Sequence, residues 1–132
     1  MKVVKGEEII VTVENRVGRL EEITEIISKE GINIRAIAAY VENNQAIFRI
    51  ITSDNLKTKE ILSQKGLKPE TKEVVIAELP DKIGELHTMA GKLKEANIDL
   101  EYIYGTTTTA EVATLIFSSN DNEKAIQILT NL

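Results

Sequence analysis

Residues 13–34 read V-E-N-R-V-G-R-L-E-E-I-T-E-I-I-S-K-E-G-I-N-I, and residues 79–100 read L-P-D-K-I-G-E-L-H-T-M-A-G-K-L-K-E-A-N-I-D-L. The second stretch follows the first without a gap, 66 positions on, so that Gly18 falls on Gly84, Leu20 on Leu86 and Ile32 on Ile98. Apolar positions stay apolar, while Asn15 becomes Asp81 and Asn33 becomes Asp99. A repeat longer than one helix implies two copies of one folding unit. In a chain of 132 residues that makes two small units, each too small to bury much surface alone, so a shared core or interface is expected.

In the first copy, Glu8–Glu14 is rich in β-branched residues and reads as a buried strand. Asn15–Gly18 is a turn. Leu20, Ile23, Ile26 and Ile27 then recur at helical spacing, and Gly31 ends that helix. Ile32–Val41 is a second strand and Asn43-Asn44 a hairpin turn. Gln45–Thr52 is a third strand with Ala46, Phe48 and Ile50 on one face. Asn55–Lys65 is a second helix stopped by Gly66, and Leu67–Thr71 a short fourth strand. This β-α-β-β-α-β order predicts an α+β, ferredoxin-like unit with helices on one face of an antiparallel sheet.

The second copy repeats the order. Glu73–Leu79 is its first strand, and Leu86, Met89, Ala90 and Leu93 carry its helix, with His87 turned to solvent. Asn97 takes the place of Gly31. Ile98–Thr106 and Glu111–Ser118 are the next strands, joined by a turn at Thr107–Ala110, with Ala113, Leu115 and Phe117 on one face. Asn120 with Glu123 forms a capping-box start for the last helix. Nothing follows that matches Gly66–Thr71. The expected units are therefore residues 1–71 and residues 72–132, the second without a fourth strand. That leaves the edge of Glu73–Leu79 bare, to be filled by Met1–Val4 or by a strand from a second chain, and a homodimer is expected.

Composition narrows the function. The chain is 42% apolar and 28% charged, as soluble globular proteins are, and no run approaches the length of a membrane helix. The first residues are too charged for a signal peptide, so a cytoplasmic location and no membrane partner are expected. A net charge of −5 with no basic block argues against nucleic acid. Phe48 and Phe117 stand singly on their strands, and no run of the kind that stacks bases in an RNA-recognition motif occurs. With no Cys and one His there is no thiol chemistry, Cys/His metal cluster or Ser-His-Asp triad, and the chain is not expected to be an enzyme or to hold a cofactor.

The motif V-E-N-R-V-G-R-L followed by E-G-I-N-I resembles the ACT domain, a small amino-acid-sensing module of metabolic enzymes. The first turn is close to the E-N-R-P-G pattern of serine-binding ACT domains, with Val17 in place of Pro. The second, P-D-K-I-G-E-L, is an equally usual ACT form. The resemblance covers nearly the whole chain. It implies a regulatory module that binds an amino acid at a domain interface, against the first turn and the start of the second strand. Carried over, it nominates Asn15, Val17, Gly18, Leu20 and Asn33, and in the second unit Asp81, Ile83, Gly84, Leu86 and Asp99. The serine-binding pattern also has a His where Val13 stands, which points away from serine. Chemistry supports the nomination: Asn offers donors and an acceptor, a helix N-terminus attracts a carboxylate, and Gly allows close approach. Val17 and Leu20 favour a small apolar amino acid. The alternative is a ligand-independent regulatory or dimerisation subunit of a metabolic enzyme.

Overall fold

The computed structural model describes residues 1–107 and 111–131. Its elements in order are β1 (Lys2–Glu14), α1 (Arg19–Lys29), β2 (Ile34–Glu42), β3 (Gln45–Thr52), α2 (Asn55–Gln64), β4 (Glu70–Pro80), α3 (Glu85–Glu95), β5 (Leu100–Thr107), β6 (Val112–Ser119) and α4 (Asn122–Thr130). Two compact units result: Glu7–Lys72, and Met1–Gly6 with Glu73–Leu132. Sequence placed Met1–Gly6 with the first unit; the structure groups it with the second. The expected turn at Thr107–Ala110 falls mostly at 108–110, outside the described residues.

In the first unit, β3 lies between β2 and the later part of β1, antiparallel to both, with Phe48 opposite Val11 and Ala39. Its side chains alternate. Ala46, Phe48 and Ile50 are buried against Ile23 and Ile27 of α1 and Ile61 and Leu62 of α2. Leu20, expected in that stripe, is instead 54% exposed. On the other face, Arg49 reaches two neighbouring strands. Its Nη1 donates to the buried Glu8 Oε1 at 2.9 Å and its Nε to Tyr40 Oη at 2.9 Å.

In the second unit β6 lies between β4 and β5, with Phe117 opposite Val75 and Ile103. Met89 and Leu93 bury themselves with Phe117, Ala125 and Leu129, whereas Leu86 and Ala90, read as core positions, are exposed. Ile116 and Ser118 are buried too, on the face away from the helices. Tyr104 and Tyr102 sit opposite them with stacked rings 6.4 Å apart, and Ser118 Oγ donates to Glu101 Oε1 at 2.7 Å. Gly105 lies opposite Leu115. A Cβ there would come within 2.8 Å of the Thr114 carbonyl oxygen and closer still to Leu115.

The fourth place in the second sheet is filled from the start of the chain. β1 is hydrogen-bonded beside β4, and its residues Lys2–Gly6 belong to this unit. Val3 packs on the core around Val75, a Cβ on Gly6 would touch Ile76 and Val74, and Lys5 pairs with Glu73 at 3.7 Å. Of the two expected fillers, the chain's own N-terminus is the one in place. The strand expected at Leu67–Thr71 starts only at Glu70, after Pro69, and runs on without a break into the one expected at Glu73–Leu79, because no Gly or Pro interrupts Glu70–Leu79; together they are β4. Two equivalent amides fix the residues where the units begin. Asn55 Nδ2 donates to the Glu7 carbonyl at 2.8 Å, and Asn122 Nδ2 to that of Glu73 at 3.3 Å. Each Asn also accepts, from Thr52 or Ser119 main chain and hydroxyl. Asp121, not Asn120, caps α4, accepting from Lys124 N–H at 3.1 Å.

Two outcomes follow for stability. Deleting residues 1–6 removes the partner on one side of β4 and leaves β6 on the other; amide exchange along 74–79 should accelerate, and urea unfolding should show a loss of about 1 kcal/mol per main-chain hydrogen bond forfeited. Gly105→Ala overpacks the β5–β6 contact and should cost about 1–3 kcal/mol by the same titration.

Candidate functional site

Each strand-to-helix turn is built the same way. Gly18 has φ 94° and Gly84 φ 87°, left-handed values that cost other residues, and both stand at the helix N-cap without a side-chain cap. The first-turn N–H groups of α1 and α3 therefore have no side chain closing them off, the arrangement that draws an anionic group. Arg19 holds the first turn in place, donating from Nε to the Glu14 carbonyl at 2.8 Å. Asn15 N–H donates to the Asn44 carbonyl at 3.2 Å, and Asp81 N–H to that of Glu111 at 2.8 Å. Asp81 Oδ2 also accepts from Thr107 Oγ1 at 2.9 Å.

The apolar residues at these turns face outward. Val17 is 100% exposed, and Ile83, Leu20 and Leu86 are exposed beside them. Ile37 on β2 and Ile103 on β5, again 66 positions apart, are equally exposed at 40%. Three apolar positions thus recur in both copies where neither core needs them. The repeat offset could have singled out Ile37 and Ile103; only their exposure gives them meaning.

Asn33 and Asp99 lie elsewhere in their units. Asn33 exchanges main-chain bonds with Ser53, its N–H donating to Ser53 Oγ at 3.0 Å and its carbonyl accepting from Ser53 N–H at 2.9 Å. Asp99 does the same with Asn120, at 3.0 Å each way. Each borders an open groove at the C-terminal end of the helix. One, of about 520 Å³, is lined by Thr24, Glu25, Ser28 and Asn33; its equivalent, about 480 Å³, by Ala90, Lys94, Asn97 and Asp99. Helix α1 has 11 residues, so about 16 Å separates the Gly18 end from the Asn33 end. The structure brings Asn15, Val17, Gly18 and Leu20 together and leaves Asn33 at the far end. Asp81, Ile83, Gly84 and Leu86 are likewise apart from Asp99. No single amino acid spans that distance within one unit.

Along α1 the carboxylates interact with each other. A hydrogen bond to Lys29, at 2.7 Å, holds Glu25 below the usual carboxylate range, and a hydrogen bond with Glu25 raises Glu21. His87 is exposed. Among the described residues no three His, Asp or Glu side chains gather as a metal site requires, and no helix is long and apolar enough to cross a membrane.

A family model described as an ACT domain pair matches residues 4–132. Among solved structures, protein BT0572 from Bacteroides thetaiotaomicron is similar with a TM-score of 0.91 and 27% identity, covering 98% of this chain and 89% of that one. The regulatory subunit of aspartate kinase from Thermus thermophilus, in its ligand-free form, has a TM-score of 0.68 at 12% identity, covering 98% and 95%. A structure of aspartokinase alpha and beta subunits has 0.66 at 19%, covering 100% and 99%. The last two show the fold alone. No curated protein matches the chain.

The two turns give a direct check on the backbone. A Cβ at either glycine meets open space, so only the dihedral opposes substitution. Gly18→Ala and Gly84→Ala should each lower stability by about 1 kcal/mol in urea titrations.

Proposed function

The chain belongs to the ACT domain pair family, and on that premise we propose that it is a regulatory module that binds a free α-amino acid and passes the change to a protein partner. The observation that carries the reading is the pair of uncapped helix N-termini beside Asn15 and Asp81, each rimmed by exposed apolar side chains. The helix N–H groups receive the ligand carboxylate, and Val17 and Leu20 cover a small apolar side chain. Asn33 and Asp99 serve the ligand from a second copy of the chain, since α1 and α3 hold them too far from their own turns. The protein acts without catalysis, in the cytoplasm, as a homodimer.

Calorimetry against the proteinogenic amino acids tests this. A small apolar amino acid should bind, and Asn15→Ala and Asn33→Ala should each weaken it about 10- to 150-fold, the worth of one charge-assisted hydrogen bond. Unchanged affinity in both variants, or a response confined to Asp, Lys or Arg, contradicts the reading. The exposed Val17 and Ile83 also suit a second reading, a ligand-independent subunit that docks on a metabolic enzyme. That reading gains if no amino acid binds.

A further inference from the structure

The two strand-to-helix turns share a backbone and differ in charge. The first has Asn15, Arg16 and Arg19 where the second has Asp81, Lys82 and Glu85. The residue whose carbonyl receives the turn's N–H also changes, from Asn44 to Glu111. Each preceding strand adds one carboxylate, Glu14 or Glu78. Helix α1 goes on to Glu21 and Glu22, where α3 has His87 and Thr88. Both guanidinia of the first turn answer Glu22, Arg16 Nη2 at 3.1 Å and Arg19 Nη1 at 3.4 Å, and Glu21 is hydrogen-bonded with Glu25 along the helix. Around the second turn the carboxylates gather instead. Glu78, Asp81 and Glu111 line one cavity of about 800 Å³ with Lys2 and Lys82, and Glu85 is the first residue of α3.

Asp81 is also committed elsewhere. Its Oδ2 accepts from Thr107 Oγ1 at 2.9 Å, a bond from the turn to β5 within the unit. Val41 holds the matching place on β2, opposite Ala46 as Thr107 is opposite Ala113, and it has no hydroxyl to offer. Among the described residues Asn15 is held by its main chain alone, so its side-chain amide remains able to donate and to accept. A carboxylate in its place only accepts.

We propose that only the first turn takes the amino acid, and that Asp81 and Glu85 bar the ligand carboxylate from the second. The assignment rests on the ligand reading above and narrows it from two turns to one. At α3 the positive end of the helix already meets the Glu85 carboxylate, and Asp81 adds a second negative charge at the rim. An incoming carboxylate there faces like charges at close range. At α1 the same place holds Arg19, which attracts it, and the Asn15 amide can donate to it. The Thr107 hydroxyl occupies the second turn's side chain as the ligand occupies the first's. The chain thus binds one amino acid, and the second unit keeps the fold of a binding unit without the ligand.

Calorimetry of the full chain with glycine, alanine, valine and leucine counts the sites. One amino acid should bind per chain. Asn15→Asp, which gives the first turn the second's carboxylate, should weaken that binding roughly tenfold or more and leave no other site. Asp81→Asn combined with Glu85→Arg, which gives the second turn the first's charges, should raise the count from one to two. Thermal melts check that each variant is folded; where one is not, the count in the unaltered chain decides by itself. Two sites in the unaltered chain, full affinity in Asn15→Asp, or a count still at one after the exchange at 81 and 85 overturns the assignment and leaves the ligand reading standing. Binding of none of the four amino acids overturns both.

Discussion

A β-strand inside a protein needs partners for the N–H and C=O groups on both its sides, and the second half of this chain lacks the strand that would supply them to β4. Residues Lys2–Gly6 meet the need. Much else in the fold follows from that single requirement. β1 must be 13 residues long, because its first part serves one unit and its later part the other. Gly6 leaves room for the side-chain end of Ile76. Asn55 and Asn122 secure Glu7 and Glu73, the residues at which the chain changes unit.

The helix that follows each turn acts as a spacer. In the proposed reading its N-terminus offers donors to the ligand carboxylate, and its C-terminus leads to the polar residue that receives the ammonium. The separation, about 16 Å, places these candidate groups at two ends of each unit. A small ligand that needs both must find the second group outside that unit. If a second molecule supplies it, as proposed, binding and association share one free energy and each strengthens the other. The exposed Val17, Leu20 and Ile37, with their equivalents Ile83, Leu86 and Ile103, leave apolar surface for such an association to cover.

The repeat made most of the fold readable. The helical period of Ile23 and Ile27, the alternation of Ala46, Phe48 and Ile50, and the glycines at the turns all act through local sterics and burial, which sequence carries directly. Residues 1–6 were harder to place, because nothing in a short strand states which distant strand it joins. The same holds for the continuity of β4, where the end of one unit and the start of the next look like two strands. Leu20, Leu86 and Ala90 fit the core stripe by spacing yet lie outside it; spacing fixes a face of a helix but not how far the sheet extends beneath it. The candidate site residues were nominated one by one from the resemblance to the family pattern. Their division between the ends of α1 was not, because a motif written as a line hides the length of the helix inside it.

In the proposed reading one unit holds only half of each ligand site. Calorimetric titration of a bound amino acid at protein concentrations from well below to well above the dimer dissociation constant addresses it most directly. Apparent affinity should rise with protein concentration, and ligand should in turn promote the dimer, by linkage. A full-strength affinity in the monomer, unchanged across that range, would contradict it.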